Sequence, residues 1–166
     1  MTMLIAKVVT SAAFVVASFL PKNNLPEKHE LTNSERQTML DAVNRLRAQG
    51  CHCGRKYMPP VGPVVWNPLL EKAAQAHATD MLRNDFFAHI SSNGSSIGDR
   101  ANRAGYEWYA VGENIAEGYE SFNATLLAWK ASPGHCVNLM RGGYKEMGVA
   151  LVDDIWVQDF GAPMNN

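Results

Sequence analysis

Met147-Gly148-Val149-Ala150-Leu151-Val152-Asp153-Asp154-Ile155-Trp156-Val157-Gln158-Asp159-Phe160 carries the clearest structural signal in the chain. Met147, Val149 and Leu151 recur at every second position. On the return, Trp156, Gln158 and Phe160 share one face, and Ile155, Val157 and Asp159 share the other. A period of two is the mark of a strand. Two such runs joined by two turn residues make a hairpin, although Asp-Asp is a less typical turn than Asp-Gly.

Upstream the period changes. Thr32-Asn33-Ser34-Glu35 is a cap-like opening, after which Met39, Leu40, Val43 and Leu46 recur at helical spacing to Ala48, with Gly50 placed to end the helix. Gly50 to Pro63 reads as an irregular loop. Asn67 caps a second helix with Pro68 at its first position. Its apolar stripe is Leu70, Ala73, Ala74, His77, Ala78 and Met81, where the alanines imply close approach to a neighbouring layer. His77 on that stripe reads as a core-edge histidine with a local hydrogen bond. Ser96-Ile97-Gly98-Asp99 opens a short helix to Ala104, stopped by Gly105. Glu107 to Val111 reads as a strand. Ser121 or Asn123 caps a helix through Leu126, Leu127 and Trp129, and Ser132-Pro133-Gly134-His135 restarts a helical turn to Met140. Helices come first and a hairpin last, so the fold class is α+β, with helices packed on a small antiparallel sheet.

The 166 residues suit one domain, and 46% hydrophobic with 19% charged residues is an ordinary globular balance. The net charge of −1 comes without a basic stripe, which excludes nucleic acid as the expected partner. Met1 to Leu20 has one positive charge, then an almost wholly apolar run ended by Pro21, which matches a signal peptide and is too short for a comfortable membrane span. Residues 21–33 are a polar linker. A secreted or periplasmic protein, present as a monomer with no transmembrane segment in its mature form, is expected. Of the three cysteines, Cys51 and Cys53 are too close to bridge each other comfortably, so Cys136 is expected to pair with Cys53 or Cys51.

Three polar residues stand in short segments crowded with Gly, Ser, Asn and Pro, or next to them: His89, Glu113 and His135. Rigidly held loops are where polar side chains do chemistry. Ser132 or Ser91 beside a histidine and Glu113 would form a hydrolase triad. There is no Gly-x-Ser-x-Gly elbow, however, and Ser132 before Pro133 reads better as a cap. A polar network that only fixes loop geometry is the bland alternative.

The chain resembles the superfamily of cysteine-rich secretory proteins, insect antigen 5 and plant pathogenesis-related proteins, in its short, bacterial form. The resemblance runs from Asn44-Arg45-Leu46-Arg47 to Gly161. It rests on Trp66-Asn67-Pro68-Leu69-Leu70, Phe87-Ala88-His89-Ile90-Ser91, Gly112-Glu113-Asn114-Ile115-Ala116, Trp129, Ser132-Pro133-Gly134-His135 and Trp156-Val157-Gln158-Asp159-Phe160 in that order. It implies an α-β-α sandwich over residues 34–163, with helices on both faces of a three- or four-stranded antiparallel sheet. It further implies an open cleft lined by His89, His135 and Glu113. The family's second glutamate corresponds to Ser132 here, and Asp99 is a candidate substitute carboxylate. Two imidazoles and a carboxylate match an open zinc site, with Glu113 as oxygen ligand or as support to a ligand. The implied function is binding of a divalent metal such as zinc, or of a small or lipid ligand or cell-envelope component. A metal-dependent or His/Glu-based hydrolase is the alternative, and a structural or protein-interaction module the second alternative.

Overall fold

A computed structural model describes residues 30–164. The expected signal segment 1–20, and the linker up to residue 29, lie outside the described residues. The elements run α1 (Asn33–Gln49), β1 (Cys51–Cys53), β2 (Lys56–Met58), β3 (Val65–Trp66), α2 (Pro68–Asn84), α3 (Ile97–Ala104), β4 (Trp108–Glu117), α4 (Phe122–Ala131), α5 (Pro133–Leu139), β5 (Glu146–Val152) and β6 (Ile155–Pro163).

Local chemistry sets the helix ends. Thr32 and Glu35 form a reciprocal capping box at α1, and Ser96 and Asp99 form another at α3. The Asn67 side chain accepts from the Leu69 N–H, with Pro68 at the first position of α2. Each such cap is worth about 1 kcal/mol. Gly50 follows α1, and Gly105 ends α3 at φ 97°.

The main sheet has the order β3-β5-β6-β4. β5 and β6 form the expected hairpin, closed where Val152 pairs with Ile155. Asp153 takes φ 57° in its turn, a left-handed conformation that Asp tolerates better than most residues. β4 lies antiparallel to β6, with Glu113 opposite Asp159. The sheet is antiparallel except at its edge, where the two residues of β3 run parallel to β5.

Both faces of the sheet are covered. On one, Ala74, Ala78 and Met81 of α2 pack on Ile115, Ala150, Val152, Ile155 and Val157, and α3 packs beside α2. On the other, α1, α4 and α5 bring Val43, Trp129 and Leu139 onto Met147, Val149, Trp156 and Phe160. This is the α-β-α sandwich. Gly148 makes the α2 approach possible: a Cβ there would meet the Glu71 backbone.

Two expectations change. The Gly50–Pro63 loop contains a short antiparallel hairpin, β1–β2, with Cys51 opposite Met58. The strand expected at Glu107–Val111 runs on to Glu117, so Glu113 is held on a strand. Of the two pairings open to Cys136, the disulfide joins Cys53 to Cys136, tying the hairpin to α5, while Cys51 is a free, buried thiol. Closing a loop of that size, 83 residues in separation, stabilises by about 4–5 kcal/mol in the chain-entropy account. Buried Arg47 ties α1 to the same region by donating to the carbonyls of Gly62, Leu139, Arg141 and Tyr144.

Candidate functional site

The site is built around the side chain of Glu113, which leaves the middle of β4 and is 2% exposed. The loop after α2 closes over it. Asp85 ends α2 in a left-handed conformation at φ 54°, which turns the chain back. Asp80 then pins the returning loop by accepting from the Ser92 N–H at 2.8 Å and the Ser92 hydroxyl at 2.6 Å.

Arg100, from α3, organises the interior of this loop. Its Nη1 donates to the carbonyls of His89 (3.1 Å) and Ser95 (3.0 Å) and to Ser91 Oγ (3.1 Å). Its Nη2 donates to Glu113 Oε2 at 2.5 Å. The other carboxylate oxygen, Oε1, accepts from His89 Nδ1–H at 2.8 Å. The result is a chain Arg100–Glu113–His89 that runs from a buried guanidinium to an imidazole whose side chain is 56% exposed.

His77 completes the packing under the loop. Its Nε2–H donates to the Ala88 carbonyl at 2.9 Å, and its Nδ1 accepts from the Ser91 hydroxyl at 3.2 Å. It is fully buried, and burial pushes its pKa below that of an ordinary imidazole. Ser91 is buried too, with its oxygen already taken by Arg100. A serine–histidine contact therefore exists beneath the loop, closed off from solvent.

His135 approaches from α5. Asn138 Nδ2 donates to the Glu113 carbonyl at 3.0 Å, and Asn114 Nδ2 donates to the His135 carbonyl at 3.4 Å. These two contacts fix α5 against β4. Among the described residues, no side-chain hydrogen bond reaches the His135 ring. Ser132 stands at the junction of α4 and α5 with no side-chain cap bond. His135 and Ser132 border a cavity of about 350 Å³ whose other walls include Phe87, Ile115, Tyr119 and Trp129. A larger groove, about 690 Å³, runs past Arg36, Glu71 and Arg83 on the outer side of α2, away from both histidines. Its size does not outweigh the chemistry at the smaller cavity.

The two histidines are pushed in opposite directions. The hydrogen bond to Glu113 raises the His89 pKa, against the opposing effect of burial. Burial, helped by the nearby His89, lowers that of His135. Burial on its own would raise the Glu113 pKa. The hydrogen bond from His89 and the Arg100 charge more than offset it, and Glu113 stays ionised below the usual range.

Sequence reasoning did not single out Arg100 or Asp159. Asp159 faces Glu113 across the β4–β6 ladder and is wholly buried, and neither carboxylate oxygen has a donor among the described residues. A lone buried carboxylate beside another carboxylate is prohibitively costly as an anion. Burial first, then the Glu113 charge, push its pKa well above the usual carboxyl range. Burial and the neighbouring Glu113 charge thus favour the neutral acid at Asp159. A signal was present in the sequence: an Asp on the Ile155–Val157 face of a strand buried on both sides. Asp99 accepts from the Ser96 N–H and hydroxyl at 2.9 and 2.7 Å, and so caps α3.

The structure therefore brings Glu113 and His89 into direct contact and His135 near them. Glu113, with both oxygens engaged, is placed to orient His89 and not to ligate. This leaves His89 Nε2 and the His135 ring as the two imidazole donors of the site, one short of the three protein ligands usual at an open zinc site. Among the described residues, the only group of three or more His, Cys, Asp and Glu residues with all its ligand atoms within 4.8 Å of one another is Cys51, Cys53 and Cys136. Two of those sulfurs are consumed by the disulfide.

Comparison with known proteins agrees with the fold. The model of the cysteine-rich secretory protein family, CAP, matches residues 40–160, and the chain belongs to this family. It is similar to the uncharacterized protein YkwD of Bacillus subtilis, at 31% identity over 79% of this chain and 44% of that protein. The chain spans less than half the length of the curated relatives it matches. Among solved structures it is similar to an extracellular protein containing an SCP domain from Bacillus anthracis, with 27% identity, a TM-score of 0.67, and coverage of 80% of this chain and 44% of that one. The fold is shared with NaASP2, solved with Zn2+, at 18% identity and a TM-score of 0.55, covering 86% of each chain. Among the described residues, no helix is long and apolar enough to cross a membrane.

Proposed function

We propose that this domain works outside the cytoplasm as a binding module, with a divalent metal such as zinc held between His89 and His135. The cavity beside His135, walled in part by Phe87, Ile115, Tyr119 and Trp129, then receives the non-polar part of a small or lipid ligand. The observation that carries this reading is the Glu113–His89 hydrogen bond. A carboxylate on Nδ1 fixes the ring and its tautomer and leaves Nε2 as the outward donor, the usual support of a metal-bound histidine. Two protein ligands leave room for water or a ligand atom. Zinc bound there would polarise whatever oxygen completed its coordination. The zinc in the NaASP2 crystal structure supports the same reading.

The test is zinc binding by calorimetry and metal analysis on the exported form of the chain. Wild type should bind zinc. His89→Ala and His135→Ala should lose it, and Glu113→Gln should weaken it by about 10–100-fold. Equal zinc content in wild type and His135→Ala would remove His135 from the ligand set.

A second reading, hydrolysis, is favoured by the opposed histidines. A raised imidazole beside a lowered one is the arrangement that separates an acid from a base. Ester, lipid and peptide substrates test it. Activity that survives loss of both His89 and Glu113 assigns any catalysis elsewhere.

A further inference from the structure

The cysteines form a second cluster, apart from the histidine cleft. Cys51 and Cys53 are two residues apart on β1, with exposed His52 between them, so both sulfurs point to the same buried face. Cys136 meets that face from α5. The disulfide uses Cys53, yet the Cys51 sulfur lies 3.6 Å from the Cys136 sulfur. All three sulfurs fall within 4.8 Å of one another.

We propose that Cys136 has two disulfide partners in this fold, and that its bond to Cys53 exchanges for a bond to Cys51 within the folded molecule. The Cys51 thiol gives up its proton and its thiolate attacks the Cys136 sulfur. A Cys51–Cys136 bond forms as the Cys53–Cys136 bond breaks, and Cys53 leaves as a thiolate that takes up a proton. Thiols and disulfides are equal in number before and after, so no oxidant or reductant enters. Thiol–disulfide exchange needs a thiolate with access to a disulfide sulfur, and here the access is built in.

The local architecture permits the change. β1–β2 is a separate two-stranded sheet with three residues per strand, a unit that is marginal on its own. Residues two apart on a strand are separated by about 6–7 Å. The Cys51 and Cys136 sulfurs already lie 3.6 Å apart, so moving the bond to Cys51 closes the hairpin on α5 by roughly 1–2 Å at that end. α5 carries His135 one residue before Cys136, so the two pairings present that imidazole differently to the cleft. The exchange itself depends on no assumption about what the cleft binds.

The experiment is disulfide mapping of the exported full-length protein after incubation in mildly alkaline buffer without added thiol. Acid quenching and alkylation of the free thiol come next, before digestion. Trypsin leaves Ala48–Arg55, with both Cys51 and Cys53, linked to Ala131–Arg141, so fragmentation at His52 tells which cysteine carries the alkyl group. Alkylated Cys53 should rise with incubation to a plateau alongside alkylated Cys51. Cys53→Ser should form the Cys51–Cys136 bond, and the His135 ring resonances of Cys53→Ser and Cys51→Ser should differ. Alkyl label on Cys51 alone at every incubation time would overturn the proposal. So would a folded Cys53→Ser protein that keeps Cys136 as a free thiol.

Discussion

Replacing Asp159 with Asn tests whether a neutral acid sits behind Glu113. The substitution keeps the shape of the side chain and removes its titration. In the wild type the folded-state pKa is raised well above the ordinary value by burial and by Glu113. A raised carboxyl contributes stability fully below its unfolded pKa and loses it as pH rises towards the folded one. An unfolded Asp titrates near about pH 3.9, and each further pH unit over which the folded protein alone keeps the proton removes about 1.4 kcal/mol. Above about pH 4, the Asp159→Asn variant should therefore gain on the wild type, by up to about 1.4 kcal/mol per pH unit for as long as the folded protein keeps the Asp159 proton. A buried amide hydrogen without a partner costs about 1–3 kcal/mol, but at every pH alike, so it cancels from the change. Urea unfolding of both proteins across this range reads the gap directly, with equal m values as the check on two-state behaviour. A gap that stays flat, or a wild type that gains on the variant as pH rises, means that Asp159 is ionised in the fold and that the reasoning is wrong.

Arg100→Met leaves Glu113 buried beside Asp159 with only the half-exposed His89 ring as a charged partner and should lower stability by about 3–5 kcal/mol in a denaturant titration; a loss under about 1 kcal/mol contradicts the buried pair. By NMR, the His89 ring should titrate above the ordinary imidazole value and the His135 ring below it, and Glu113→Gln should move His89 downward. His89 therefore supports the fold at low pH and loses that contribution as pH rises through its folded pKa. Gly148→Ala puts a methyl group against the Glu71 backbone. It should cost about 1–3 kcal/mol or more in thermal or urea unfolding, whereas Gly62→Ala, with open space around it, should change little.

Most of the frame could be read from local signals because local chemistry fixes it. The Thr32, Asn67, Ser96 and Ser121 caps, the Gly50 and Gly105 stops and the β5–β6 hairpin are all formed within a few residues of one another. His77 also behaves as its place on an apolar stripe implies, buried and bonded to nearby Ala88 and Ser91. The interior of the site was not legible in this way. Arg100 matters because α3 aims it at a loop and a strand, and Asp159 matters because the β4–β6 register sets it against Glu113. Both depend on pairing between distant segments, which periodicity does not report. The β1–β2 hairpin was hidden for a different reason. Its strands of three residues are too short to show alternation.

The buried Arg100–Glu113 pair raises the question of why it is there. Removing two charges from water often costs more than their attraction returns, and apolar replacements of similar volume are commonly neutral or stabilising. If the pair served only the fold, Arg100→Met combined with Glu113→Leu would recover most of the stability lost in Arg100→Met and leave everything else intact. If it serves the cleft, the double variant should recover stability while His89 loses the partner on Nδ1, and zinc affinity should fall by about 10–100-fold. Unfolding and calorimetry on the same two proteins separate these outcomes. The geometry favours the second. Glu113 spends one oxygen on the buried guanidinium and the other on an imidazole that faces solvent, so the charge of Arg100 is used to hold a carboxylate ionised where it can aim His89. Wild-type zinc affinity in the double variant would leave the Arg100–Glu113–His89 chain as a feature of packing alone.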